Sequence, residues 1–288
     1  MRITSLGPTR LMLLLTVALA PAARADHTGD TSGTPDLVVD QKLLQNHWIV
    51  RDEDFAAADC AAVEGGISAG THRVLRFSVS TPNIGTGDLA LGDPNVHVAN
   101  NDGLYEFAQC HKHFHFRHYA KYELIDPVTG KTWRTAKRGF CMIDVAPAPQ
   151  LSDQPPKSWT YRICGRVGIP GNQGISAGWA DEYYEFLQGQ MFVLDGGDNQ
   201  DPVPPGPYII RITVNPPFLS NGTPQDPCRF QDSLGFCHQL PELNYDNNVA
   251  ESFINIPDHP GRSGVGPGVN DKAPNDSDIH DDNGEPID

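Results

Sequence analysis

The residues in this chain best suited to chemistry are the histidines of Cys110-His111-Lys112-His113-Phe114-His115-Phe116, with His118 just beyond. Three histidines at two-residue spacing share one side of an extended segment, because side chains alternate faces along a strand. Neutral imidazole nitrogen is a ligand for copper, zinc, iron and nickel, and three such nitrogens leave an open position that suits a catalytic metal. Phe114 and Phe116 fall on the opposite face, so His111, His113 and His115 read as a metal site pressed against an apolar interior. The outer two Cα atoms of a flat strand would lie about 13 Å apart at ~3.3 Å per residue. The strand must therefore bend, or the imidazoles converge, for one ion to meet all three. Cys110 adjoins the cluster as a possible thiolate ligand, although it points to the other face and an exported cysteine more often sits in a disulfide.

The elements that would position this cluster read as strands. Leu37-Val38-Val39, Trp48-Ile49-Val50 and the alternating run His72 to Val79 come first. His118 to Ile125, Trp159 to Ile163, Gln190 to Leu194, Tyr208 to Val214 and Ala250 to Ile256 follow, with turn signals between nearly all of them. A short helix is expected only near Asp181 to Gln188. With 28 Gly and 25 Pro in 288 residues, loops are favoured over helices. The expected class is all-β, a β-sandwich-like core with long disulfide-stapled loops and little helix.

Residues 1–25 have the form of a secretory signal peptide: Arg2 and Arg10, an apolar run from Leu11 to Ala20, and Ala23-Arg24-Ala25 as a cleavage site. Residues 26–34 are a polar lead-in, 35–257 the expected catalytic domain, and 258–288 an acidic tail too poor in large apolar residues to fold. Removal of Arg2, Arg10 and Arg24 moves the formal charge from −15 to −18. Such acidity argues against a nucleic-acid partner and suits cationic ones, including protonated amines, besides keeping an exported protein soluble. No run is long enough for a membrane span. Six cysteines remain after export, an even number that suggests three disulfides with fifteen possible connectivities, of which Cys228–Cys237 is the easiest to guess. Asn221-Gly222-Thr223 and Asn275-Asp276-Ser277 match the short glycosylation pattern.

The stretch Cys110-His-Lys-His-Phe-His, followed by Tyr119 to Asp126, resembles the copper motif of the lysyl oxidase family. The likeness extends to Pro35-Asp36-Leu37-Val38 and His72 to Phe77 upstream. Downstream it takes in Tyr208-Ile209-Ile210, Val214-Asn215-Pro216 and Asn244 to Val249, so that it covers roughly residues 35 to 256. The resemblance implies a copper ion held by His111, His113 and His115. It also implies a lysine tyrosylquinone built by copper-assisted oxidation of a tyrosine and its coupling to a lysine. The lysine maps to Lys137 in Lys137-Arg138-Gly139-Phe140-Cys141 and the tyrosine to Tyr183 in Gly174 to Tyr183, with Tyr184 adjacent. Asp181, two residues before Tyr183, is then a candidate catalytic base. The implied activity is oxidative deamination of a primary amine or peptidyl lysine with O2, releasing aldehyde, hydrogen peroxide and ammonia.

The same resemblance implies disulfides Cys60–Cys110 and Cys141–Cys164, leaving Cys228–Cys237 to staple an insertion between Pro217 and Glu242 that animal members lack. Trp179 and Gly189 stand where those members have cysteines. The segment from His115 to Asp126 is one residue shorter than theirs, so no further histidine is mapped. The competing reading is a non-catalytic secreted Ig-like adhesion or metal-binding module, which leaves Lys137 and Tyr183 unexplained. A zinc or copper hydrolase ranks third, since no glutamate accompanies the histidines as a motif.

Overall fold

The computed structural model describes residues 31–148, 151–152, 158–223 and 226–262. The expected signal peptide and residues 263–288 of the acidic tail lie outside them. Among the described residues all strand pairing is antiparallel, and the fold is all-β as expected. A four-stranded sheet orders Val249–Ile256, Gly206–Val214, Ala120–Ile125 and Thr132–Arg134. One three-stranded sheet joins Trp48–Phe55, Gly70–Phe77 and Met191–Val193, and another joins Val79–Pro82, Trp179–Tyr183 and Ala146–Pro147. Among the described residues three two-stranded ribbons complete the set, one of them Tyr105–Phe107 with Phe114–Phe116.

Burial follows each strand's place. Tyr208, Ile210 and Ile212 face inward from Gly206–Val214, and Ala250, Ser252, Ile254 and Ile256 do so from Val249–Ile256, while Phe253 faces out. Period-two alternation is what one covered face requires. The alternation expected for His72 to Val79 is only partial, because Gly70–Phe77 is a central strand with Val74, Leu75, Arg76 and Phe77 buried in succession. Arg76 tolerates this position by pairing with Glu53 (Nη2 to Oε2, 2.6 Å) and donating from Nη1 to the Leu187 carbonyl at 2.6 Å. A buried guanidinium is affordable only when so satisfied.

Four local expectations differ from the structure. Leu37-Val38-Val39 forms no strand beyond a single bridge from Leu37 to Asn83, and short helices stand at Gln41–Asn46, Cys60–Val63 and Pro94–Asn100, where none was expected. Trp159 to Ile163 forms no strand beyond a single bridge from Ile163 to Asn172. The helix expected near Asp181 to Gln188 is instead the end of strand Trp179–Tyr183 followed by turns. Tyr183 there pairs with Val79 and Asp181 with Thr81, and cross-strand hydrogen bonds outweigh the weak helical pattern. At the C-terminal side, packing continues past Pro257: Gly261 exchanges backbone hydrogen bonds with Val50, and Arg262 lies over the Trp48 ring at 4.5 Å.

The core is aromatic where it underlies the histidines. Phe140 meets Tyr119, Tyr122 and Tyr183 edge-on, with centroids 5.2, 5.4 and 5.2 Å away. Edge-to-face pairs add about 0.5–1.5 kcal/mol each beyond burial. Phe140 therefore pins the segment that carries Lys137.

Candidate metal and cofactor centre

The histidine segment is not one flat strand. Only Phe114–Phe116 is extended, and Lys112 has φ 61°, a left-handed turn that folds the chain back. That turn brings the His111 and His115 rings to 5.1 Å between centroids, closer than His111 to His113 at 5.9 Å, with His113 and His115 at 4.9 Å. Nε2 of His113 and Nε2 of His115 stand 3.1 Å apart. His113 and His115 are buried, at 1% and 4% exposure, and His113 Nδ1 has no hydrogen-bond partner.

Electrostatics keeps these rings neutral. Burial, then the neighbouring histidines and the Lys137 ammonium, pushes His113 down to about 3 and His115 well below the usual histidine range. Neutral, convergent and partly unpartnered imidazoles are the donor set that copper or zinc takes, so the residues fit a metal of that class. Glu64 joins them: one ligand atom each from Glu64, His111 and His115 lies within 4.8 Å of the others. Glu64 accepts from His111 Nδ1 at 2.6 Å and from the Cys110 amide at 2.7 Å.

Lys137 and Tyr183, the residues to which the family resemblance assigns the quinone, lie against this cluster. Phe116 donates its amide to the Phe140 carbonyl at 2.6 Å, which joins the histidine strand to the Lys137–Phe140 segment. Gly139 has no side chain where the His115 ring sits, and a Cβ there would lie 2.3 Å from His115 Nδ1. Lys137, only 7% exposed, places Nζ 4.7 Å from the centroid of the Tyr183 ring. The Tyr183 hydroxyl donates to the Cys141 carbonyl at 2.9 Å. Tyr184 departs from the site, stacking on Phe186 and donating its hydroxyl to Glu182.

Asp181 is fully buried, and neither of its carboxylate oxygens meets a donor at full hydrogen-bond geometry. Burial drives its pKa well above the carboxylate range, opposed in part by the nearby Tyr183 and Tyr119 hydroxyls and the Lys137 charge. The buried hydroxyl of Tyr122 and the side chain of Gln190 border the same pocket of polarity. A narrow pocket lined by Glu64, His111, His115, Lys137, Gln188 and Gly189 is closed to about 10 Å³, room for roughly one water. Beside it a cleft of about 430 Å³ is lined by Glu64, Glu106, Phe107, Gln109, His115 and Arg138.

A model of the lysyl oxidase family matches residues 35–226. The chain belongs to the lysyl oxidase family. Rat protein-lysine 6-oxidase is 26% identical over 240 residues, covering 79% of this chain and 47% of the rat protein. The pig protein-lysine 6-oxidase is also 26% identical, with 79% of this chain and 78% of that protein covered. Rat lysyl oxidase homolog 2 is 25% identical over 225 residues, covering 75% of this chain and 24% of that protein. The chain thus spans about half the length of the rat and human protein-lysine 6-oxidases it matches.

As a lysyl oxidase-family chain it carries all three expected disulfides, Cys60–Cys110, Cys141–Cys164 and Cys228–Cys237. Cys110 is thereby a disulfide partner and not a thiolate ligand. Among the described residues no helix is long and apolar enough to cross a membrane. The structure gathers His111, His113, His115, Lys137, Asp181 and Tyr183 into one place. Sequence reasoning did not reach Glu64, Gly139, Tyr119, Tyr122 or Gln190. For Glu64 one signal exists, since it stands four residues after Cys60, whose partner adjoins His111.

Proposed function

We propose that this chain is an exported, copper-dependent amine oxidase. It converts primary amines, peptidyl lysine or small amines, to aldehydes with O2 and releases hydrogen peroxide and ammonia. The observation that carries the reading is the buried Lys137 ammonium, 4.7 Å from the centre of the buried Tyr183 ring and beside three convergent histidines. His111, His113 and His115 would hold the copper, and Lys137 and Tyr183 would form the lysine tyrosylquinone. When present, copper supplies the redox chemistry that joins Tyr183 to Lys137, and the quinone supplies an electron sink for the amine.

The chain's own residues prepare that chemistry. Phe140 and the Cys141 carbonyl fix the Tyr183 ring and hydroxyl, so the ring face stays toward Lys137. Asp181, raised in pKa by burial, is in its ionised form a stronger base than an exposed carboxylate and would hold a proton taken from the substrate's α-carbon. The burial of Lys137, Asp181 and Tyr183 limits water around these groups, and the acidic net charge favours approach of a protonated amine. A non-catalytic adhesion module has no use for a buried lysine and a buried aspartate beside one tyrosine, since each costs several kcal/mol to desolvate.

The test is to load the purified protein with copper and treat it with phenylhydrazine. The expected results are a derivatised quinone band, a Lys137–Tyr183 crosslinked peptide in the mass spectrum and peroxide release with an amine substrate. A copper-loaded protein with no crosslink and no peroxide from any amine would overturn the reading.

A further inference from the structure

Of the three imidazoles, His111 is the one with a carboxylate on its ring. His115 is seated by packing on Gly139, and His113 turns Nε2 toward His115 with Nδ1 unpartnered. Glu64 reaches His111 from the turn that ends helix Cys60–Val63, and both its oxygens are committed to consecutive residues. Oε1 accepts from the Cys110 amide at 2.7 Å and Oε2 from His111 Nδ1 at 2.6 Å. A carboxylate only accepts, so Nδ1 carries the proton and, in the neutral ring, the lone pair is on Nε2. The Cys60–Cys110 disulfide ties the two segments together, so the carboxylate is held against the ligand segment by a covalent link four residues away.

We propose that Glu64 is a positioning residue for the copper centre: it fixes His111 in the Nδ1–H tautomer and aims Nε2 at the metal. The proposal rests on the copper reading above. Carboxylate–histidine–metal relays work in this way, fixing ring orientation and raising ligand basicity. Direct ligation by Glu64, whose oxygens are near enough to His111 and His115, would add a metal contact to oxygens that already accept one N–H each. The relay uses only the two hydrogen bonds already present.

The experiment uses the full chain and the variants Glu64→Ala, Glu64→Gln and His111→Ala, with folding checked by thermal unfolding and the Cys60–Cys110 link by peptide mapping. Nitrogen-15 NMR of the metal-free protein should show His111 as the Nδ1–H tautomer, giving way to a mixture in E64A. Copper(II) titration should show E64A binding about 10–100-fold more weakly, the usual cost of losing such a partner. Its electron paramagnetic resonance spectrum should be altered but still show three coordinating nitrogens. E64Q, which keeps one acceptor oxygen, should fall between E64A and the unaltered chain.

Wild-type tautomer, affinity and spectrum in E64A would overturn the proposal while leaving the copper reading intact. Loss of copper in E64Q as complete as in H111A, with one oxygen ligand fewer, would overturn it in favour of direct ligation. If E64A fails to fold, E64Q carries the test, and wild-type behaviour there counts against the proposal. Failure of the unaltered chain to take up copper would overturn the copper reading and the proposal together.

Discussion

Lys137 sets its ammonium over the face of the Tyr183 ring, 4.7 Å from the centroid, with both side chains buried. The two residues are far apart in sequence, Lys137 in a loop and Tyr183 at the end of a strand, and the Phe140 ring neighbours both, its centroid 5.8 Å from Lys137 Nζ and 5.2 Å from the Tyr183 ring centroid. The folded chain itself therefore brings the pair side by side.

Removing either partner should abolish the crosslink without unfolding the protein. Tyr183→Phe loses one hydrogen bond, to the Cys141 carbonyl, at a cost of about 1–3 kcal/mol. Lys137→Met keeps the length of the side chain and removes a buried charge. Both variants should fold, take up copper, and show neither quinone absorbance nor peroxide release. Turnover surviving in either one would assign the cofactor to other residues.

Asp181→Asn should separate catalysis from cofactor formation. The crosslink should still form, while amine turnover falls by about 10²–10⁴-fold, the usual contribution of a positioned base. Stability should respond in the opposite sense. The folded carboxyl holds its proton more tightly than the unfolded one, so stability falls as pH rises above the ordinary aspartate value of 3.8 and levels off once the folded group ionises. The variant lacks that decline, so denaturant unfolding at rising pH should show the native chain losing ground to it. Full turnover in the variant would remove Asp181 from the mechanism.

Much of this site was legible because its signals are local. Histidine spacing is one of them, and the family resemblance that led to Lys137, Tyr183 and Asp181 is carried by the short runs Lys137 to Cys141 and Gly174 to Tyr183. What spacing could not show is how the histidines converge, because the left-handed turn at Lys112 is a property of tertiary packing and not of strand periodicity. Glu64 was invisible for a related reason, reaching His111 across 47 residues through a fold closed by a disulfide. In the four-stranded sheet Gly206–Val214 and Val249–Ile256 were read well, since one face of each is covered and alternation survives, whereas the short edge strand Thr132–Arg134 was not read at all. Gly70–Phe77 was read less well, since a central strand buried on both sides loses that pattern.

The disulfides should differ in what they protect. Cys60–Cys110 spans 50 residues and Cys228–Cys237 spans 9, so chain entropy alone gives about 4 and about 2.5 kcal/mol of stabilisation. Replacing Cys60 and Cys110 by alanine also frees the segment bearing Glu64 from His111. Unfolding and copper titrations should show both stability and copper affinity falling. Replacing Cys228 and Cys237 should lower stability alone and leave amine turnover in place. Equal copper affinity in the two double variants would mean that the longer disulfide has no part in ordering the metal site.

Two glycines at the site should fail differently when given a methyl group. In Gly139→Ala the new Cβ would lie 2.3 Å from His115 Nδ1 and 2.5 Å from its Cγ, and the buried ring cannot swing into solvent. Ligand geometry must hold to about 0.5 Å for a working centre, so copper affinity should drop at least ~10-fold and the crosslink should not form. In Gly189→Ala the Cβ meets the Lys137 Cα at 3.3 Å, and the residue's φ of +77° strains any L side chain. That change presses on the lysine and spares the histidines. Copper uptake should persist in Gly189→Ala while the yield of Lys137–Tyr183 peptide falls, as read by copper titration beside mass spectrometry. Wild-type copper affinity in Gly139→Ala would mean that His115 does not bind the metal from the position it holds against Gly139.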